Sequence, residues 1–258
     1  MRDGSQLRLF VVYWWPVVEE NGMNVIFHIL GMVAGGTLIG WRVRRAGLKF
    51  DKVRFIVGFL FLIALGVAGA RLAYVLADLH YYIAHWQEIF SLYGTIIQGA
   101  IIFGLLGLIP VARFVRVPFW KLGDLFVPGV ALGQAIGRIG CLVQGCCYGV
   151  PIQLPGLEAT GWLYPTQMMH GGANLLIALL LLYLDERGYK PFDGFLFLLY
   201  VILFSTQRFL IDFLRAVGPV FAPDMPFAGL RVPRVISVVS IALALIVLVW
   251  RWVSVRRN

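Results

Sequence analysis

Long apolar runs separated by short polar stretches dominate the chain, and their lengths match what a bilayer requires. Crossing about 30 Å of hydrocarbon takes roughly 20 residues of helix. Seven runs meet that test: 25–43, 55–79, 95–115, 122–143, 167–184, 194–214 and 235–253. The pattern predicts an all-α integral membrane protein, a seven-transmembrane-helix bundle forming one domain over residues 1–258. The stretch 7–18, with Trp14, Trp15 and Pro16, is too short to span and predicts an interfacial segment. The first twenty residues, with Asp3, Glu19 and Glu20, do not have the form of a secretory leader. No internal repeat or low-complexity tract interrupts the series.

Lysine and arginine in the short loops set the expected orientation. Arg42, Arg44, Arg45, Lys49, Lys52 and Arg54 follow the first span, Arg113, Arg116 and Lys121 the third, Arg187 and Lys190 the fifth, and Arg251, Arg256 and Arg257 end the chain. The loops after the second and fourth spans carry neither residue. The N-terminus is therefore expected outside and the C-terminus in the cytoplasm, with Arg2, Arg8, Arg231 and Arg234 running against that bias.

Composition agrees with the pattern. The chain is 60% hydrophobic and only 14% charged, against about 25% charged residues in soluble proteins. Its +9 formal charge does not point to nucleic acid, because the basic residues sit in short clusters beside apolar runs rather than on one face.

The topology gathers unusual residues at one depth. Spans two, four and six run outward, and each carries arginine in its last third: Arg71, Arg138, and Arg208 followed by Arg215. Gln98, Gln167 and His170 begin spans three and five at the same level. Charge inside a membrane costs a few kcal/mol unless paired or hydrated. Asp212 shares a helical face with Arg208 and Arg215 and is expected to neutralise one of them. Arg71 and Arg138 have no evident carboxylate, and a guanidinium fork fits phosphate bidentately. The expected partner is an anionic lipid head group held inside the bundle.

The stretch GQAIGRIGCLVQGCCYGVP, 133–151, concentrates this chemistry. Gly133, Gly137 and Gly140 allow close backbone approach, and Gly145 and Gly149 flank the exit of the helix. Cys141, Cys146 and Cys147 are all the cysteines of the chain. Packing as small apolar residues, redox pairing of Cys141 with Cys146 on unwinding of the helix, and metal binding all remain open. The C-x4-C-C spacing is not a standard zinc pattern, and neither metal nor cofactor is expected.

These blocks resemble the prolipoprotein diacylglyceryl transferase family. GRIGCLVQGCCYG is similar to its signature G-R-x-G-N-F-x-N-x-E-x-x-G: Arg138, Gly140 and Gly149 match, while Cys141, Gln144 and Cys146 replace Asn, Asn and Glu. ARLAYVL is similar to G-R-x-G-Y-V-L, matching Arg71 and Tyr74. YPTQMMH resembles H-P-S-Q-L-Y-E, matching Pro165 and Gln167, with Tyr164 and His170 substituted. RFLIDFLR resembles R-x-x-V-E-F-x-R, with Arg208, Asp212 and Arg215 in register.

The resemblance implies a multi-pass protein of the bacterial plasma membrane. It would move the diacylglyceryl group of phosphatidylglycerol to the lipobox cysteine of a prolipoprotein. Arg138, Arg208 and Gln98 would be catalytic. Arg71, Tyr74, Gly140, Cys141, Gly149, Gln167, Asp212 and Arg215 would bind substrate. Gln98 stands where the family has a histidine thought to act as base, and an amide is no useful base at neutral pH. With Cys141 in place of asparagine, this implies a divergent paralogue whose base is His28, His170 or a thiol. A non-catalytic phospholipid-binding protein that kept the pocket is the second reading. A transporter or thiol-redox protein is the third, although there is no C-x-x-C and no pair of broken helices in related halves.

Overall fold

The computed structural model describes residues 23–47, 51–77, 79–90, 97–152, 162–215 and 232–257. Along them run α1 (Met23–Arg45), α2 (Lys52–Ala77), the short α3 (Leu79–Ala84) leading to a 3-10 turn at Trp86–Phe90, and α4 (Ile97–Val115). They are followed by α5 (Phe119–Val143), α6 (Thr166–Glu186), α7 (Phe195–Asp212) and α8 (Val232–Arg257). Among the described residues there is no strand, only isolated bridges at Gly149–Arg215 and Pro151–Leu163. Six helices (α1, α2, α5, α6, α7 and α8) are long and apolar enough to cross a membrane, and α4 is apolar over the shorter Gly99–Val115. An α-helical membrane protein is thus what the apolar pattern builds. The expected interfacial stretch 7–18 lies outside the described residues.

Helices that are apolar on all sides gain little from burying oil against oil, so close backbone packing must hold them together. Glycines supply it. Between antiparallel α1 and α5, a β-carbon at Gly31 would stand 2.5 Å from the Gly133 carbonyl oxygen, and one at Gly35 would stand 2.5 Å from that of Gly129. Two small-x3-small pairs therefore face each other. α2 and α4 repeat the device, a β-carbon at Gly99 falling 2.1 Å from the Gly69 carbonyl oxygen. The two pairs join through Ile39 and Val43 of α1, Leu108, Val111, Ala112 and Val115 of α4, and Leu122, Leu125 and Phe126 of α5. Outward-facing Leu60, Leu176 and Ile246 are well exposed, as lipid-facing side chains should be.

One end of the bundle is locked by charge. Pro128 lacks an N–H, so the Asp124 carbonyl one turn earlier in α5 has no helical donor. Arg42 of α1 fills the gap. Its Nη1 donates to the carbonyls of Asp124 and Leu125 at 2.6 and 2.7 Å, and its Nη2 meets Asp185 Oδ2 of α6 at 2.8 Å. Lys190 Nζ takes the other Asp185 oxygen at 2.8 Å. The buried Asp124 carboxylate accepts the backbone N–H of Gly194 at 2.7 Å and of Phe197 at 2.8 Å. It caps the start of α7 from another helix, satisfying donors that a helix N-terminus leaves orphaned. Arg42, read from sequence as a loop charge, is 3% exposed and ties α1, α5 and α6 together.

Candidate functional site

The opposite end of the same helices carries the residues singled out by sequence. α5 terminates in a Schellman turn: Cys146 N–H donates to the Cys141 carbonyl and Gly145 N–H to the Leu142 carbonyl, both at 3.1 Å, with Gly145 at φ +66°. That motif brings its third-last helical residue against the second residue beyond the cap. Here those residues are Cys141 and Cys146. The thiols therefore meet with the helix intact, where sequence had required it to unwind. Cys147 follows at φ +63°, and the three Sγ atoms lie within 4.8 Å of one another.

α6 holds this turn from below. Thr166 Oγ1 donates to the Cys147 carbonyl and Gln167 Nε2 to the Cys146 carbonyl, each at 2.6 Å. Beyond it, Gly149 N–H donates to the Tyr164 carbonyl at 2.8 Å and Val150 N–H to that of Leu214 at 2.9 Å. A β-carbon at Gly149 would fall 2.3 Å from the Leu214 carbonyl oxygen, so only glycine lets this segment lie on the end of α7. Gly140 is buried one turn before the cap.

Three arginines converge beneath. Arg138 of α5 is half-buried, and a β-carbon at Gly171 of α6 would come within 3.3 Å of its Cβ. Arg208 of α7 is 7% exposed, with Nη1 3.5 Å from His170 Nε2. Arg215 Nη2 lies 3.8 Å from Cys147 Sγ. Hydrogen bonds from Cys141 and Cys146, with the nearby Arg215 and Arg138 guanidinium groups, hold the Cys147 thiol below its ordinary value. Hydrogen bonds to its neighbours raise Cys146 instead.

Asp212 makes its direct ion pair with Arg234, not with Arg208 or Arg215 as expected. Its carboxylate accepts Arg234 Nε of α8 at 2.9 Å, with side chains 5% and 13% exposed, and its carbonyl accepts Arg234 Nη2 at 3.2 Å. Arg234, which ran against the topological charge bias, is here the acid's partner. Among the described residues no carboxylate forms an ion pair with Arg138, Arg208 or Arg215.

The remaining expected residues sit on α1, α2 and α4. Arg71 of α2 donates through Nε to the Ile89 carbonyl at 2.9 Å and through Nη2 to that of Glu88. It lies over the rings of Tyr74 and Tyr82 at 5.4 and 5.2 Å. It thus joins α2 to the segment of α3 and the 3-10 turn. Gln98 falls in the first turn of α4, its side chain outside the described residues. His28 of α1 faces the turn before Arg138, its ring 3.7 Å from where a β-carbon of Gly137 would stand.

Sequence reasoning missed a polar ladder on α6 and α7. Gln207 Nε2 donates to Asn174 Oδ1 at 3.0 Å. Its Oε1 is then left to accept from His170 Nδ1 at 3.1 Å, which turns the Nε2 lone pair toward Arg208. Asn174 and Gln207, isolated amides in apolar runs, were the available signal.

Residues 23–250 match the family model for prolipoprotein diacylglyceryl transferase. The chain is 34% identical over 239 residues to the phosphatidylglycerol–prolipoprotein diacylglyceryl transferase of Dehalococcoides mccartyi, covering 88% of this chain and 87% of that one. It is 30% identical over 260 residues to the enzyme of that name from Acaryochloris marina, covering 93% and 92%, and 34% identical over 196 residues to that from Clostridium tetani, covering 72% and 77%. An apolar helical bundle, with arginines gathered at one end over the motif GRIGCLVQGCCYG, thus belongs to the prolipoprotein diacylglyceryl transferase family.

Proposed function

We propose that this protein transfers the diacylglyceryl group of phosphatidylglycerol to the lipobox cysteine thiol of prolipoproteins, at the outer leaflet of a bacterial plasma membrane. The observation that carries this reading is the charge imbalance. Arg138, Arg208 and Arg215 converge on one end of the bundle, while the nearby acid, Asp212, is committed to Arg234. A partly buried cluster of that sign calls for an anion, and a phosphodiester supplies one with oxygens matched to guanidinium forks.

In this reading the bundle has seven spans. The 19 residues of α4 extend about 28 Å, close to the hydrocarbon thickness, and the loop charges support an outside position for the Arg138 end. Arg138 and Arg208 hold the phosphate, with Arg215 beside them. Gln167 and Gly149 fix the turn above, and Gly140 and Cys141 shape its base. Arg71 and Tyr74 line the approach from α2, and Gln98 positions without exchanging a proton. The lipobox sulfur attacks the glyceryl carbon next to the phosphate. A C–S bond forms as the C–O bond breaks, and glycerol phosphate leaves with the charge that the arginines stabilise.

The thiol proton goes to His28. His170 is less suited, because Gln207 engages one ring nitrogen and Arg208 faces the other. Thioether formation on a lipobox peptide, with labelled phosphatidylglycerol and purified protein, tests the proposal. Wild type should transfer, His28→Gln should lose about 10²–10⁴-fold, and Gln98→Ala should cost little. Phosphatidylglycerol binding with no transfer by wild type would instead leave a lipid-binding protein that kept the pocket.

A further inference from the structure

The three thiols form and break no bond in the chemistry above, and simple packing does not account for them. Free cysteine used as a small apolar residue is among the most buried of side chains, yet Cys141, Cys146 and Cys147 are each only partly buried. Cys147 also keeps a left-handed backbone at φ +63°. That conformation is unfavourable for a non-glycine residue, and it persists where its surroundings over-determine it. The Thr166 hydroxyl on its carbonyl and the Gly149–Arg215 bridge fix it there.

We propose that Cys141, Cys146 and Cys147 form a three-sulfur site for a thiophilic closed-shell metal ion, of the zinc(II) or copper(I) class. Sulfurs bound at about 2.3 Å to one metal stand about 4 Å apart. The observed sulfurs lie within 4.8 Å, so side-chain rotation alone completes the site. Soft thiolates select these ions. Three thiolates around a divalent ion leave one net negative charge, and Arg215, 3.8 Å from Cys147 Sγ, is placed to offset it. Because the carbonyls of Cys146 and Cys147 receive Gln167 and Thr166, the ion clips the end of α5 onto α6. Its work is to rigidify the turn over the arginines.

Metal binding is read directly, without the transferase assay. Reduced, metal-free full-length protein in detergent is titrated with zinc(II), and separately with copper(I), against chromogenic chelators. X-ray absorption follows on the loaded wild type. The expected result is one ion per chain of at least one of the two metals, with a sulfur shell near about 2.3 Å. Affinity should fall at least tenfold in Cys141→Ser and in Cys147→Ser. Retention of neither ion, a nitrogen–oxygen shell without sulfur, or affinity unchanged in both variants would overturn the site. So would a Cys141–Cys146 disulfide in protein isolated from membranes without reductant. The absorption measurement on wild type decides the matter if a serine variant fails to fold.

Discussion

The two ends of α5, α6 and α7 treat buried charge in opposite ways. At the Arg42 end, the Arg42 guanidinium meets two carbonyls and Asp185, Asp185 meets Lys190, and Asp124 caps α7. At the Arg138 end, three arginines converge while Asp212 is held by Arg234. The first arrangement closes on itself and joins helices. The second leaves positive charge for something outside the chain. A buried charge is evidence of function only after its partners have been counted.

That contrast can be broken by exchanging which end is damaged. Arg138→Ala should give the largest effect, lowering transfer about 10²–10³-fold, the scale of losing one donor to developing charge. Its thermal unfolding should stay close to wild type, and Arg138→Lys should recover only part of the rate, since lysine keeps charge but loses the fork. An Arg138→Ala protein that transfers normally would move the phosphate site elsewhere.

Arg42→Ala should show the reverse profile. The Asp124 carbonyl loses its donor, the Leu125 carbonyl loses the Arg42 bond and Asp185 keeps only Lys190, so stability should fall by about 2–4 kcal/mol. Transfer per folded molecule should be nearly unchanged at low temperature. Denaturant unfolding in detergent measures the first and the thioether assay the second. A specific loss of transfer with unaltered stability would mean that the two ends are coupled.

The smallest effect sharpens the comparison. Asp212→Asn retains an acceptor for Arg234 but removes one negative charge from the Arg138 end. Stability should drop by about 1 kcal/mol, while phosphatidylglycerol retention in native mass spectrometry holds or rises. A collapse of retention would assign Asp212 to the lipid site rather than to Arg234.

Much of the candidate site was legible in the sequence. Arg138, Arg208, Arg215, Gln167 and Gly149 stood out because polar or glycine residues within long apolar runs are conspicuous. Cys141 and Cys146 were conspicuous too, but their contact depends on a capping turn whose signal, Gly145 four residues after Cys141, reads equally well as an ordinary exit. Arg42 was misjudged because loop and buried arginines look alike in sequence. Its burial follows from a carbonyl freed by Pro128 on another helix. Arg234 looked like a topological anomaly until α8 brought it to Asp212.

The sequence by itself determined that this is an α-helical membrane protein, since apolar length and short-range composition decide whether a segment can span. It also determined the family and the residue types available at the Arg138 end. Only the tertiary structure decided the partners: Asp212 with Arg234, Arg71 with the Glu88 and Ile89 carbonyls, and Arg42 with Asp124 and Asp185. The physical reason is that forming a span is a local transaction between a segment and the bilayer, whereas charge pairing depends on which helices cross. Those crossings are set by glycines that let backbones approach, Gly31 and Gly35 facing Gly133 and Gly129. In the linear chain those glycines stand about a hundred residues apart, and nothing there names their partners.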